Sequence, residues 1–301
     1  MNEEEIILTH IVPADFSDAI RLSDYCVGKF EGLLTRSSVR KALAREEILV
    51  NGTVGTTGRW VQAGWVIQWR RKLVAPRRIF KADVKVLFED DFMAVVLKPA
   101  GIVVSGNRFR TLENALPGVL CKSLEKDALP LPLAVHRLDS DTAGLVIVAK
   151  TATSHLRLSQ QMANGSVSKI YHALVAGTPE NEGVFDAPID GKSAVTLYRL
   201  LKTYPSLITR SISLVEIKLL TGRTHQIRKH FSEAGFPVLG DKLYSPPGLL
   251  LKHRGLFLFA SEIIFNHPVT GVEIAVKSPL PHKFFYFPST QQKLFIKYRE
   301  I

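Results

Sequence analysis

Cysteine is scarce in this chain of 301 residues, which contains only Cys26 and Cys121. The two lie far apart, and neither belongs to a CxxC pair or a histidine-rich stretch, so the sequence offers no zinc site. Such sparse cysteine is typical of a reducing compartment. A single long-range disulfide is the alternative.

Long apolar runs and targeting signals are lacking as well. No run approaches the roughly 20 apolar residues that a membrane-spanning helix needs. The acidic start, MNEEE, resembles neither a signal peptide nor a basic transit peptide. We therefore expect a cytoplasmic protein without membrane contact, long enough to hold more than one domain.

The motifs of several large enzyme classes are also missing. The chain has no GxSxG, no Walker A sequence and no GxGxxG after a strand. His225 and His230 lie five residues apart and lack the HExxH pattern of a metal hydrolase. We therefore expect chemistry that uses neither a metal nor an organic cofactor.

Positive charge, by contrast, is abundant and concentrated. The net charge is +11, and residues 29–81 hold twelve lysines and arginines against three glutamates. A basic segment of this density is typical of proteins that bind a polyanion. A solvated basic face with no partner is the alternative.

A short basic helix is predicted within this segment. Thr35 is a suitable N-cap, and Val39, Ala42 and Leu43 recur at helical spacing. Like charges four residues apart weaken an isolated helix, so we expect its basic face to meet a negative partner. The charges form two such pairs, Arg36 with Arg40 and Lys41 with Arg45.

Residues 17–72 resemble the small helix-plus-hairpin RNA-binding domain shared by a small-subunit ribosomal protein and many RNA-modifying enzymes. The resemblance is carried by the helix TRSSVRKAL, the turn in ILVNG and a later glycine-bounded strand. It implies that the four cations of the helix contact RNA backbone. Trp65 stands where that family usually has an acidic residue, and we expect this change to affect the rim of the fold more than RNA binding.

The pattern changes beyond this domain. We interpret residues 1–16 as an N-terminal tail and the basic, proline-interrupted stretch 73–83 as a linker. From 84 to 301, short buried strands and helical stretches follow in mixed order without internal repeats. This order predicts one α+β domain with a large sheet.

One stretch of the larger domain has the form of a reactive site. HRLDSDTAGL, residues 136–145, places charged and polar residues directly before a buried strand, where a rigid scaffold can hold a reactive group. Asp139 is the candidate carboxylate, with His136 and Arg137 as positive neighbours. A plain turn-forming aspartate is the alternative.

Two further segments offer a phenol and a guanidinium. Tyr171, in KIYHALVAG, alternates with Ala173 and Val175 and therefore faces the same side of a strand. Arg223, in TGRTHQIRKH, lies in a glycine-containing turn before a helix, an arrangement that suits an anion. A core tyrosine and a structural ion pair are the alternative interpretations.

Five motifs in order carry a second resemblance, over about residues 84–280. LKPAGIVV, HRLDSDTAGL, KIYHALVAG, TGRTHQIRKH and GLFLFASEIIFNHPVTG resemble the RluA-type pseudouridine synthase family. The resemblance implies an α+β fold, with a mixed, mostly antiparallel sheet and flanking helices. It also implies isomerisation of uridine to pseudouridine in structured RNA without a metal or organic cofactor.

The same resemblance implies roles for individual residues. Asp139 matches the catalytic aspartate, Tyr171 the active-site tyrosine and Arg223 the arginine that pairs with the aspartate. Arg137 and Thr142 are then expected to shape the aspartate loop, and Arg137, Thr142 and His136 are expected to contact the RNA. Two positions depart from the family: Ala143, where serine is common, and Phe259, where histidine is common.

Other functions and targets are weighed against this one. A non-catalytic RNA-binding protein should have lost at least one of the three central residues, yet all three are present. A metal-free hydrolase or glycosidase needs a second carboxylate, for which Asp141 and Asp241 are candidates without a supporting motif. We expect large-subunit ribosomal RNA as the substrate, with transfer RNA as the alternative, and a monomeric protein. The residues leave open whether Asp139 attacks C1′ or removes a proton at C2′.

Overall fold

The computed structural model describes residues 5–72, 79–246, 249, 251 and 254–299. Most of the stretch interpreted as a linker, residues 73–78, lies outside this range. The described strands form two separate sheets, one in the small basic segment and one in the larger segment.

The small sheet has four strands in the order β1-β4-β2-β3. Its core is apolar and includes both Trp69 and Cys26. Cys26 is buried and Cys121 is exposed, and neither is bonded to the other. The elements are β1 (Glu5–Ile11), α1 (Leu22–Tyr25), α2 (Arg36–Ala44), β2 (Ile48–Val50), β3 (Thr53–Val54) and β4 (Val66–Lys72).

The basic helix α2 forms as its sequence predicts. The Thr35 hydroxyl accepts a hydrogen bond from the backbone N–H of Ser38, which completes a capping box. Val39, Ala42 and Leu43 are buried beneath it. The helix therefore points its apolar stripe into the small core and leaves its charged face outward.

Residues 5–11 correct the assignment of an N-terminal tail. They form β1 and pair antiparallel with β4 in an unbroken register from Glu5↔Lys72 to Ile11↔Val66. Ile7, Leu8 and Ile11 are all more than a third exposed. The pairing therefore depends on backbone hydrogen bonds more than on a buried face. The sequence of β1 has no alternation of apolar and polar residues that would predict a strand.

The larger segment contains ten strands in one sheet. Its central path runs β10-β11-β12-β9-β13-β8-β6-β5, with β14 paired to β13 and β7 paired to β8. The strands are β5 (Lys85–Glu89), β6 (Met93–Lys98), β7 (Ala128–Ala134), β8 (Ala143–Thr151), β9 (Ser168–Ala176), β10 (Glu182–Phe185), β11 (Thr196–Ser206), β12 (Arg210–Leu219), β13 (Leu258–Asn266) and β14 (Glu273–Lys277). The helices are α3 (Leu112–Ala115), α4 (Ala152–Ala163), α5 (Gln226–Glu233) and α6 (Lys283–Arg299), with a 3₁₀ turn at Leu116–Gly118.

The sheet is mixed and mostly antiparallel, which confirms the predicted α+β class. Among the described strand pairs, only β8 and β13 run parallel. They come close enough that a Cβ on Gly144 would collide with the backbone of Ala260, and Gly144 has a φ of +137° that favours glycine. This contact brings the end of the HRLD stretch beside the middle of the sheet.

The two faces of the sheet have different neighbours. Tyr171 and Leu258 point into one core, whereas Leu174 and Phe259 point into another that contains Phe284 of α6. Ala143 is the bridge partner of Phe259 and packs on the same side. The two departures from the family pattern are therefore register neighbours, and both lie on the face opposite Tyr171.

Candidate active site

A cavity of about 310 Å³ opens on the Tyr171 side of the sheet. It is bounded by the HRLD loop, by β9 and by the turn that leads into α5. All six residues predicted for the site in this domain line it: Asp139, Tyr171, Arg223, His136, Arg137 and Thr142.

Asp139 lies in a tight turn immediately before β8. The backbone N–H of Thr142 donates to the carbonyl of Asp139, and the N–H of Gly101 donates to the carbonyl of Ser140. The side chain remains 19% exposed. The backbone is thus fixed at Asp139 and at the residue after it, while the carboxylate itself stays accessible from the cavity.

The guanidinium that meets Asp139 belongs to Arg228, not to Arg223 as the resemblance implied. Nη1 of Arg228 lies 3.4 Å from Oδ2 of Asp139. The Arg228 side chain is only 5% exposed and also holds the buried carboxylate of Asp241. The predicted ion pair therefore exists, but its cation comes from the first turn of α5.

Arg223 occupies a different position at the same cavity. Its side chain is exposed, and its Nε donates to the carbonyl of Ser193 at 2.9 Å. Its backbone N–H donates to the buried Gln226 side chain. Arg223 precedes the helix, so its guanidinium points along the turn rather than toward Asp139. From there it can meet an anion that enters the cavity.

Tyr171 is a buried neutral phenol. Burial, and then the negative charge of Asp139, raise the pKa of Tyr171 well above its usual value of 10.0. A phenol that keeps its proton at neutral pH is unsuited to act as a base in the resting protein. The residue is 7% exposed and lines the cavity, so its ring offers a flat surface on which another planar ring can pack.

His136 does not supply the positive charge expected beside Asp139. Burial, and then the charge of Lys169, lower its pKa to about 4. Its Nε2 accepts a hydrogen bond from the backbone N–H of Ile147 at 3.0 Å. The neutral ring therefore ties the HRLD loop to β8, whereas Arg137 is exposed and lines the cavity.

Lys98, the lysine of the LKPAG motif, is fully buried beneath the same loop. Its Nζ donates to the carbonyls of Pro99, Ile102 and Ser140, at 3.0, 2.8 and 3.2 Å. Burial lowers its pKa to about 8, although the negative charges of Asp139 and Asp141 act to raise it. Lys98 therefore joins two loops and places a charged group behind Asp139.

The chain is similar in sequence to known proteins. Residues 92–233 match the family model described as RNA pseudouridylate synthase. The "Ribosomal large subunit pseudouridine synthase D" of Pseudomonas aeruginosa is 37% identical over 69% of this chain and 71% of its own length. The protein of the same name from Xanthomonas campestris is 34% identical over 82% of each chain.

The chain belongs to the RNA pseudouridine synthase family. A solved structure titled "Human RNA Pseudouridylate Synthase Domain Containing 4" has the same fold, with a TM-score of 0.56 and 26% identity, over 69% of this chain and 92% of that one. The resemblance drawn from the five motifs is thereby confirmed. The roles of the individual residues stay predictions.

Two residues of this synthase site were missed from the sequence. Arg228 and His225 both face Asp139, with His225 Nε2 3.7 Å from its Oδ1. Arg228 lies in the first turn of α5, whereas His225 is the N-cap of this helix and has a left-handed backbone with a φ of +56°. Their common direction therefore comes from the tertiary structure, and no spacing in the sequence predicts it.

The four cations predicted to bind RNA in the small domain are not equivalent. Arg36 pairs with Asp24, and Arg45 pairs with Glu47 at 3.0 Å. Arg40 and Lys41 are exposed, and no acid among the described residues pairs with them. The latter two are therefore the freer charges for an RNA phosphate.

Among the residues that the structure describes, no group of three or more histidine, cysteine, aspartate or glutamate side chains is placed to hold a metal ion. No described helix has the length and apolar character to cross a bilayer.

Proposed function

We propose that this chain converts uridine to pseudouridine in large-subunit ribosomal RNA, in the cytoplasm and as a monomer. The observation that carries the proposal is a single carboxylate, that of Asp139, among the residues lining the cavity, held by a buried arginine. Support for the RNA class comes from relatives whose names specify the large ribosomal subunit. Residues 29–81, which include α2, have twelve lysines and arginines against three glutamates, a net charge of +9 that suits a polyanion of this kind.

The reaction is an isomerisation and needs no added atoms. The C1′–N1 bond breaks, the uracil turns, C1′ joins C5, and the proton on C5 is lost while N1 ends protonated. An ionised Asp139 can open this sequence in either of two ways, by attack at C1′ or by removal of the C2′ proton. Arg228 orients the carboxylate and supplies its opposite charge in both cases.

The substrate uridine has to leave its helical stack to reach Asp139. Asp139 lines a cavity of about 310 Å³, which a base still stacked in a helix cannot enter, so the uridine is flipped into it. Tyr171 then packs against the uracil, and Arg137 and Arg223, both exposed at the cavity, contact neighbouring phosphates. The small domain adds further phosphate contacts through Arg40 and Lys41.

Glycoside hydrolysis is disfavoured by the positions of the other two carboxylates. Asp241 is 1% exposed and fully engaged by Arg228, so it cannot activate a water molecule. Asp141 does not line the cavity. A glycosidase needs two working carboxylates facing the scissile bond, and of the described residues that line the cavity only Asp139 qualifies.

The proposal is tested by mapping pseudouridine in total RNA from cells with and without the gene. We expect loss of one or a few pseudouridines from large-subunit ribosomal RNA and their return when the wild-type gene is restored. Loss confined to transfer RNA would replace the proposed substrate. An unchanged map, together with no product from the purified protein on that RNA, would overturn the proposed activity.

A further inference from the structure

Two side chains, those of Arg228 and His225, face the Asp139 carboxylate. Both are contacted by the turn that follows α5, residues 240–244, through Asp241 and Tyr244. Neither Asp241 nor Tyr244 lines the cavity. Gly240 fixes the start of the turn, because it has a φ of +76° and any Cβ there would collide with the carbonyl of Gly255.

Asp241 anchors Arg228 from behind. Its Oδ2 accepts from Nε of Arg228 at 2.6 Å, and its Oδ1 accepts from Nη2 at 2.8 Å. The same Oδ1 also accepts the backbone N–H groups of Leu243 and Tyr244. Four donors converge on this buried carboxylate, so the Arg228 fork is held in one plane and only Nη1 is directed at Asp139.

Arg228 and Asp241 each favour the charged form of the other. Burial alone would raise the pKa of Asp241, but its hydrogen bonds from Arg228 and the turn backbone lower it. Burial alone would lower the pKa of Arg228, but Asp241 and then Asp139 raise it. The ion pair therefore stays charged throughout the neutral range, and the guanidinium is a fixed cation at Asp139.

Tyr244 contacts both Arg228 and His225. Its ring lies 5.2 Å from the Arg228 guanidinium carbon, and its hydroxyl lies 2.9 Å from Nδ1 of His225. The other ring nitrogen of His225, Nε2, lies 3.7 Å from Oδ1 of Asp139. His225 also has a φ of +56°, an unusual conformation for a non-glycine residue that neighbouring contacts must hold.

The tautomer of His225 follows from these contacts. When the Tyr244 hydroxyl donates to Nδ1, this nitrogen carries no proton, and the ring proton lies on Nε2, which faces Asp139. The opposite tautomer would direct a lone pair at the carboxylate, which is repulsive. The two oxygens of Asp139 thus lie beside two different side chains, Arg228 at Oδ2 and His225 at Oδ1.

We propose that Asp241 and Tyr244 are positioning residues that orient the Asp139 carboxylate, Asp241 through Arg228 and Tyr244 through both Arg228 and His225. This inference rests on the proposed function for its kinetic consequence. Its structural part, the arrangement of Arg228 and His225, concerns the free protein. The two parts are therefore measured separately.

The kinetic arm compares single-turnover pseudouridine formation by the wild type, Asp241→Asn and Tyr244→Phe on deproteinised large-subunit ribosomal RNA. For Asp241→Asn we expect a rate lower by about 10- to 100-fold, the range typical when an outer group that orients a functional ligand is lost. For Tyr244→Phe, which keeps the ring but loses one hydrogen bond, we expect about a fivefold loss. RNA affinity should change less than about twofold in both, since neither side chain lines the cavity.

The matched control is Glu89→Gln. Glu89 pairs with the buried Lys150 at 2.8 Å on the β5 side of the sheet, so this variant also breaks a buried ion pair. We expect it to lose stability without losing rate. If Asp241→Asn and Tyr244→Phe turn over as fast as Glu89→Gln, the positioning roles are refuted.

The structural arm uses the ¹⁵N chemical shifts of the His225 ring in the free protein. We expect the ring proton on Nε2 in the wild type, and a mixture of tautomers in Tyr244→Phe. Identical spectra in the two proteins would overturn the role of Tyr244. A wild type that makes no pseudouridine but shows the expected spectra would instead reject the proposed function and leave the positioning network standing.

Discussion

Nη1 of Arg228 lies 3.4 Å from Oδ2 of Asp139, whereas Arg223 directs its Nε to the carbonyl of Ser193. The two arginines are five residues apart in one motif and reach the same cavity from different elements. Arg228 is buried and fixed by ion pairs, whereas Arg223 is exposed and held by one side-chain hydrogen bond. Their roles should therefore separate in experiment.

Arg228→Lys should abolish most turnover, because an ammonium cannot hold Asp241 through two parallel bonds and also reach Asp139. We expect a single-turnover rate lower by about 100-fold or more, as when a preorganised donor is removed from an active site. Arg223→Lys, the matched variant, should keep most of its rate. Comparable losses in both variants would contradict the assignment.

His136 should make folding stability depend on pH in the acid range. Its folded-state pKa of about 4 is below the usual 6.5, so between these values the unfolded chain binds a proton that the folded chain does not. Stability should therefore fall as pH is lowered from 6.5 toward 4, by at most about 1.4 kcal/mol per pH unit from this group. His136→Gln keeps an acceptor for the Ile147 N–H and should show a flatter dependence by urea unfolding. Parallel curves for the two proteins would contradict a His136 ring that stays neutral in the folded protein.

Lys98 should limit activity at alkaline pH. Its pKa of about 8 means that the ammonium is intact below that pH and loses its charge and one donor above it. The carbonyl of Ser140, next to Asp139, would then be held less firmly. We expect the single-turnover rate to decline as pH rises through about 8. Lys98→Met should be slower at every pH and should lack this decline, and a profile identical to the wild type would refute the role.

Much of the fold could be predicted from local patterns. The cap at Thr35 and the apolar stripe of α2 depend on neighbouring residues, so sequence alone was sufficient to find them. β1 was missed because its pairing with β4 is made between segments more than fifty residues apart and buries little. The pattern of a strand that contributes mainly backbone bonds does not distinguish it from a tail.

The site could be predicted in composition but not in pairing. Asp139 and Tyr171 were found because motif and strand alternation place them directly. The pairing of Asp139 with Arg228 instead depends on where α5 begins, and that start is set by contacts of Gln226 with Thr221, Val195 and Thr196. The neutral state of His136 likewise depends on burial that a loop sequence does not reveal.

The cations of α2 should contribute unequally to RNA binding. Arg40→Ala with Lys41→Ala removes two exposed charges and should reduce the slope of log affinity against log salt by about 1.5. Arg36→Ala with Arg45→Ala removes charges already paired with Asp24 and Glu47 and should reduce it less. Filter binding across a salt series measures both. Equal slopes would show that the ion pairs open when RNA binds.

The most direct test is pseudouridine formation by Asp139→Asn on deproteinised large-subunit ribosomal RNA, measured beside the binding affinity for the same RNA. The amide keeps the shape of the carboxylate but can neither attack C1′ nor remove a proton at C2′. We expect no detectable product from the variant, with RNA affinity within about threefold of the wild type. Product formed at a rate near that of the wild type would contradict the assignment of Asp139 as the reacting carboxylate.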